Sequence, residues 1–223
     1  MKRRLLIVAT SVALSLSACL VSIAAGEEGA GQAPASKPDL AKAKQIVDQL
    51  CAACHGADGN SPSPANPSIA GQNADYITLQ LAHYQSGIRP NAVMQSMVAK
   101  LTPEEMQALG IFFAQQTAKI SAAKDKELVA AGGKIFRGGN AASGVPACAA
   151  CHSPDGAGIP KRYPRVSGQH SDYTLAQLKA FKSGERGADK EGKDVNGRVM
   201  SQIASRMSER EMQAVADFTA GLH

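Results

Sequence analysis

Cys51-Ala52-Ala53-Cys54-His55 returns letter for letter as Cys148-Ala149-Ala150-Cys151-His152. Two thiols separated by two residues, with an imidazole directly after them, suit addition to the porphyrin vinyl groups and ligation of the iron. The two copies predict two covalently bound haem c groups, carried by Cys51, Cys54, Cys148 and Cys151, with His55 and His152 on the irons. Cysteine pairs of this kind also form redox disulfides and zinc sites. Thioredoxin-like chemistry wants a strand–helix–strand unit beside the motif, and none surrounds either copy. A four-cysteine zinc ribbon spaces its pairs by about 15–20 residues, whereas most of a domain lies between these. Neither alternative explains the histidine.

The opposite face of each iron needs a second ligand, and the internal repeat discriminates among candidates. At the constant offset between the motifs, Asp58-Gly59 matches Asp155-Gly156, Pro67 matches Pro164, and Gly71-Gln72 matches Gly168-Gln169. Tyr76 matches Tyr173, Gln80-Leu81 matches Gln177-Leu178, and Arg89 matches Arg186. Farther on, repeat two carries extra residues between Gly187 and Gly197, a Gly-, Lys- and Asp-rich stretch that reads as a surface loop. His83 aligns with Ala180 and His170 with Asn73, so neither histidine is duplicated, and surface or local hydrogen bonding is their expected role. Met97 and Met207 are not duplicated either. Met106 and Met212 are, but they sit on the apolar stripe of a capped helix, where Met serves as core filler. Met94 and Met200 remain. They precede that helix, in a segment expected to be a loop carrying the thioether over the porphyrin. His/Met ligation would raise the reduction potential relative to bis-His iron and close both axial positions, leaving electron exchange as the available chemistry.

Two further pairs have competing readings. Pro67 and Pro164 follow their motif histidines at the same interval; a carbonyl there could accept from the axial ring, or the proline could simply stiffen a loop. Arg89 and Arg186 could pair with haem propionates or be exposed cations.

The elements that must position these residues read as helical. Ile77, Leu81 and Tyr84, and likewise Thr174, Leu178 and Phe181, recur at the spacing of one helix face. Thr102-Pro103-Glu104-Glu105 and Ser208-Glu209-Arg210-Glu211 are capping boxes that start last helices. Leu40 to Leu50 and Glu127 to Phe136 read as first helices. The Pro-, Gly-, Asn- and Ser-rich stretch after each haem motif reads as loop, and no strand is expected. The organisation is residues 1–25 signal peptide, 26–38 flexible leader, 39–116 domain one, 117–126 linker and 127–223 domain two. Each domain is a small all-α fold around its haem. The chain has no tryptophan and 4% aromatic residues, sparse for two cores this small, so covalent porphyrins would supply the missing apolar bulk.

Met1-Lys2-Arg3-Arg4 followed by an apolar run to Ala25 reads as a secretory signal, cleaved or, less favoured by its Ser and Ala content, retained as an anchor. Cys19 follows Leu16-Ser17-Ala18, which resembles a lipoprotein cleavage box; lipidation there competes with a small residue inside a discarded signal. Losing residues 1–25 removes three positive charges, so the formal net charge falls from +5 to +2. Nucleic-acid binding is not indicated. Residues 26–120 carry 6 Lys/Arg against 8 Asp/Glu, and residues 121–223 carry 15 against 11. This dipolar distribution would orient redox partners during encounter.

Both halves resemble class I cytochrome c domains. The tandem motifs, the Asp-Gly pairs, the Gly-Gln followed by Tyr and Gln-Leu, and the Gly-Leu-His ending resemble the dihaem cytochrome c4 family over nearly all the mature chain. That resemblance implies His/Met ligation by His55 with Met94 and by His152 with Met200. It also implies a periplasmic location, two domains about a pseudo-twofold axis with haems near their interface, and electron delivery toward a terminal oxidase. A non-enzymatic carrier is therefore expected, taking electrons from a quinol-oxidising complex or dehydrogenase. The rival is a small dihaem oxidoreductase such as a thiosulfate dehydrogenase or cytochrome c peroxidase, which needs a vacant or unusual axial site. A haem-bearing subunit of a larger membrane complex is a third reading.

Overall fold

The computed structural model describes residues 37–189 and 191–223; the expected signal peptide, Cys19 and nearly all of the leader lie outside the described residues. Those described fold as short helices joined by irregular chain, with only two isolated β-bridges, Asn140 with Val145 and Ile159 with Tyr163.

In the first half, α1 (Leu40–Ile46) begins where the Asp39 carboxylate accepts the Lys42 N–H at 2.9 Å, satisfying an otherwise orphaned donor. It widens into a π turn (Val47–Cys51) and continues as α2 (Ala52–His55), so the expected first helix runs on into the haem motif. Next come α3 (Ala74–Ser86), capped by Asn73 and ended by Gly87 in the left-handed region, and α4 (Ala92–Val98). The last helix of this half, α5 (Pro103–Ala114), has its capping box formed in both directions. In the second half α6 (Lys126–Gly138) and α7 (Ala149–His152) are separated by the Asn140–Val145 bridge. They are followed by α8 (Ser171–Ser183), α9 (Val195–Ala204) and α10 (Glu209–Ala220), the last started by the Ser208–Glu211 box.

Two expectations need correction. Met94 and Met200 do not sit in a loop: each lies within a helix, α4 and α9. Asn91 Oδ1 accepts the Met94 N–H at 2.9 Å and Asp194 Oδ1 accepts the Gly197 N–H at 2.8 Å, and these caps nucleate helices too short to show a periodic stripe. The extra segment of repeat two is not wholly surface either. Gly187, Asp194 and Gly197 are buried, because α9 starts inside it.

First and last helices cross in each half. Ala43 and Val47 pack with Ile77, Ala108, Leu109 and Phe113 in the first, and Phe136 packs with Phe218 and Leu222 in the second. A separate cluster in the second half gathers Val145, Leu178, Met207, Met212 and Val215, with Met200 and Cys148 against it. Two crossings are glycine-tight: a Cβ on Gly110 would lie 2.5 Å from the Ala74 carbonyl oxygen, and one on Gly132 would lie 2.0 Å from that of Ala214.

Candidate haem sites

Each motif ends its helix with an abrupt turn. Gly56 (φ 77) and Ser153 (φ 70) take the same positive-φ conformation directly after the motif histidine. The chain then travels out and is drawn back by a duplicated clamp. The Gly59 carbonyl accepts the Ile69 and Ala70 N–H groups at 2.7 and 3.0 Å, and the Gly156 carbonyl accepts those of Val166 and Ser167 at 2.8 and 3.1 Å. Asp58 and Asp155 brace these turns by accepting the N–H two residues on, at 3.0 Å in both cases. The returning strand of chain brings each proline onto its histidine.

His55 Nδ1 lies 2.9 Å from the Pro67 carbonyl oxygen, and His152 Nδ1 lies 2.9 Å from that of Pro164. A carbonyl can only accept, so Nδ1 carries the ring proton and Nε2 keeps its lone pair. Burial pushes both imidazole pKa values down and the carbonyl bond only partly restores them, which keeps the rings neutral at pH 7. A neutral imidazole with a fixed Nε2 lone pair is what an iron requires. Cys51, Cys54, Cys148 and Cys151 are free thiols, none paired in a disulfide. Burial pushes Cys51 and Cys148 up to about 11. Thiols spared from disulfide formation, beside oriented imidazoles, fit a thioether-linked porphyrin.

Met94 and Met200 are each partly buried, on α4 against α3 and on α9 against α8. Met200 and Cys148 pack against one apolar cluster, so the second half brings both sides of its expected haem site onto shared core. Met106 and Met212 are 2% and 1% exposed, inside α5 and α10. His83, expected at the surface or in a local bond, is instead buried with Nδ1 lacking any partner among the described residues. His170 bonds across the halves, its Nε2 lying 2.9 Å from the Ser61 carbonyl oxygen.

Arg89 and Arg186 are not exposed cations. Each is buried where the halves meet. Arg89 donates to Gln80 Oε1 of its own half and to Tyr173 OH and Gln177 Oε1 of the other, at 2.8, 2.9 and 2.8 Å. Arg186 reciprocates with Gln177 Oε1, Tyr76 OH and Gln80 Oε1, at 2.8, 2.9 and 3.1 Å. Among the described residues neither guanidinium has a carboxylate partner. Two buried cations sharing only neutral acceptors suit the propionates of a porphyrin. The sequence offered Tyr76, Gln80, Tyr173 and Gln177 as duplicated positions, but not as an interface.

Comparison with known proteins agrees with this layout. The cytochrome c family model matches residues 129–222. The model described as cytochrome c oxidase, cbb3-type, subunit III matches residues 38–112. Cytochrome c4 of Pseudomonas aeruginosa is 36% identical over 214 residues, 96% of this chain and 97% of that protein. A thiosulfate dehydrogenase electron acceptor of Stutzerimonas stutzeri is 36% identical over 175 residues, 77% of this chain and 78% of its own. The crystal structure of reduced recombinant cytochrome c4 from Pseudomonas stutzeri superposes with a TM-score of 0.76 at 32% identity, covering 84% of this chain and 100% of that one. With the haem motifs doubled, the helical halves matched and the likeness running nearly end to end, this chain belongs to the cytochrome c4 family of dihaem electron carriers.

Proposed function

We propose that this cytochrome relays single electrons in the periplasm, from a quinol-oxidising complex or a dehydrogenase to a terminal oxidase. In this reading His55 and Met94 hold one iron, and His152 and Met200 hold the other. When bound, each haem supplies a reversible one-electron couple. The chain's own residues do the rest. Pro67 and Pro164 hold the Nδ1 proton of each imidazole and so aim Nε2. Capped α4 and α9 hold the thioethers, and Arg89 with Arg186 offset propionate charge between the halves. The observation that carries this reading is that every one of these parts occurs twice, so neither half offers an unmatched axial position for substrate.

Electronic spectra test it. Both ferric haems are expected to be low-spin and to show the near-infrared thioether-to-iron band. Met94→Ala and Met200→Ala should each remove half of that band and lower the potential of one haem only. High-spin iron in the unaltered protein, or turnover of peroxide or thiosulfate by the chain itself, would overturn the carrier.

A second reading concerns the donor. Relatives that bear the name thiosulfate dehydrogenase electron acceptor favour a thiosulfate-oxidising enzyme as the source of electrons. Rapid reduction by such a dehydrogenase in the presence of thiosulfate, with slow reduction by a quinol-oxidising complex, would select it.

A further inference from the structure

Gln72 and Gln169 occupy equivalent positions of the two repeats, and each reaches into the other half. Gln72 Oε1 accepts the Arg165 N–H at 2.9 Å and Gln72 Nε2 donates to the Arg165 carbonyl at 2.9 Å. Gln169 Oε1 accepts the Ser68 N–H at 2.9 Å and Gln169 Nε2 donates to the Ser68 carbonyl at 2.7 Å. Each amide is locked in this sense by a second donor, the N–H of Asn73 or His170, at 2.9 and 3.0 Å.

The bonded N–H groups belong to particular peptide units. Arg165 N–H and the Pro164 carbonyl are the two ends of one peptide group, as are Ser68 N–H and the Pro67 carbonyl. Those carbonyls are the ones that accept from the histidines. Two unbroken chains result: Gln72 to the Pro164–Arg165 peptide to His152, and Gln169 to the Pro67–Ser68 peptide to His55. A peptide whose N–H is engaged by an acceptor has a more electron-rich carbonyl, because hydrogen bonds in series polarise one another. That carbonyl draws harder on Nδ1–H, and the imidazole becomes a more basic iron ligand, which favours the ferric state.

We propose that Gln72 and Gln169 are crossed positioning residues, each setting the axial histidine, and hence the reduction potential, of the haem in the opposite half. The proposal rests on His55 and His152 being iron ligands. It makes the two potentials properties of the assembled pair, not of either half.

Haem-resolved redox titration and NMR of the ferrous holoprotein test it together. In Gln72→Leu the His152 Nδ1–H resonance is expected to move upfield and the potential of the second haem to rise, while His55 and the first haem stay put. Gln169→Leu should give the mirror result. Gln72→Glu replaces the amide acceptor of Arg165 N–H with a charged and stronger one. Its His152 Nδ1–H should therefore move downfield and the potential of the second haem should fall, opposite to the leucine variant. It also serves if the leucine variant fails to fold. A shift of the haem in the variant's own half, equal shifts of both haems, no shift at all, or Gln72→Glu moving His152 Nδ1–H in the same direction as Gln72→Leu would overturn the proposal. Failure of the ligand assignment is recognised separately, since the unaltered protein would then lack two histidine-ligated low-spin haems.

Discussion

The residue after each haem motif shows how one side chain can be decided by backbone geometry. Gly56 and Ser153 adopt nearly the same φ and ψ, a region that L residues rarely occupy. Ser153 tolerates it with help, its hydroxyl donating to the Gly158 carbonyl at 2.9 Å. Gly56 has no such freedom, since a Cβ there would stand 2.5 Å from the Asn60 carbonyl oxygen. Gly56→Ala should therefore lower stability by about 1–3 kcal/mol through strain, read as a reduced denaturation midpoint of the holoprotein. At this scale the sequence was informative where chemistry restricts residue type. The cysteines and their adjacent histidines stood out from the doubled motif alone, because few other residues could do their work at that spacing. Pro67 and Pro164, by contrast, act through a backbone carbonyl that any residue could supply. His83 did not. A lone histidine on a helix face carries no mark of what will surround it, and the charges that act on His83 include Asp194, Arg186 and Asp189 of the other half.

Helices position the site through their ends and their crossings. Gly132 lets α6 approach α10 closely enough that any side chain would strike the Ala214 carbonyl and Phe218. Gly132→Ala should destabilise the second half by roughly 1–3 kcal/mol, with the first half's haem spectrum unchanged in partial denaturation. The start of α10 has a pH signature. Glu211 accepts from the Asn140 amide and from the Ser208 N–H, and these bonds hold its carboxyl below the ordinary 4.5. A depressed acid stabilises the fold above its unfolded pKa and loses that contribution as pH falls through its folded value. The thermal midpoint should thus fall more steeply below pH 4.5 in the unaltered protein than in Glu211→Gln. Capping boxes and apolar stripes made α3, α5, α8 and α10 legible from sequence. The α4 and α9 helices were not, because seven and ten residues with mixed polarity look like loop until their caps are seen.

At the scale of the molecule, the halves are joined by bonds that no local pattern announces. The chain between α5 and α6 is fastened to both sides. Asn60 holds Thr117 and Lys119, Gly168 holds Ser121, and Asp217 accepts the N–H groups of Lys124 and Asp125. The repeat offset identified Gln72, Tyr76, Gln80 and Arg89 with their counterparts, yet a repeat shows only that two positions are alike. Whether they meet is decided by folding. Here Arg89 and Arg186 each bond the tyrosine and glutamine of the other half, and Gln72 and Gln169 reach the equivalent Arg165 and Ser68, so these contacts are reciprocal. Such reciprocity is the signature of an isologous homodimer, in which one surface is complementary to itself. The two halves of the chain thus meet as two copies of one half would. A single excised half retains both sides of that contact. Sedimentation of residues 39–116, matured with haem, should accordingly reveal a concentration-dependent symmetric pair instead of a persistent monomer.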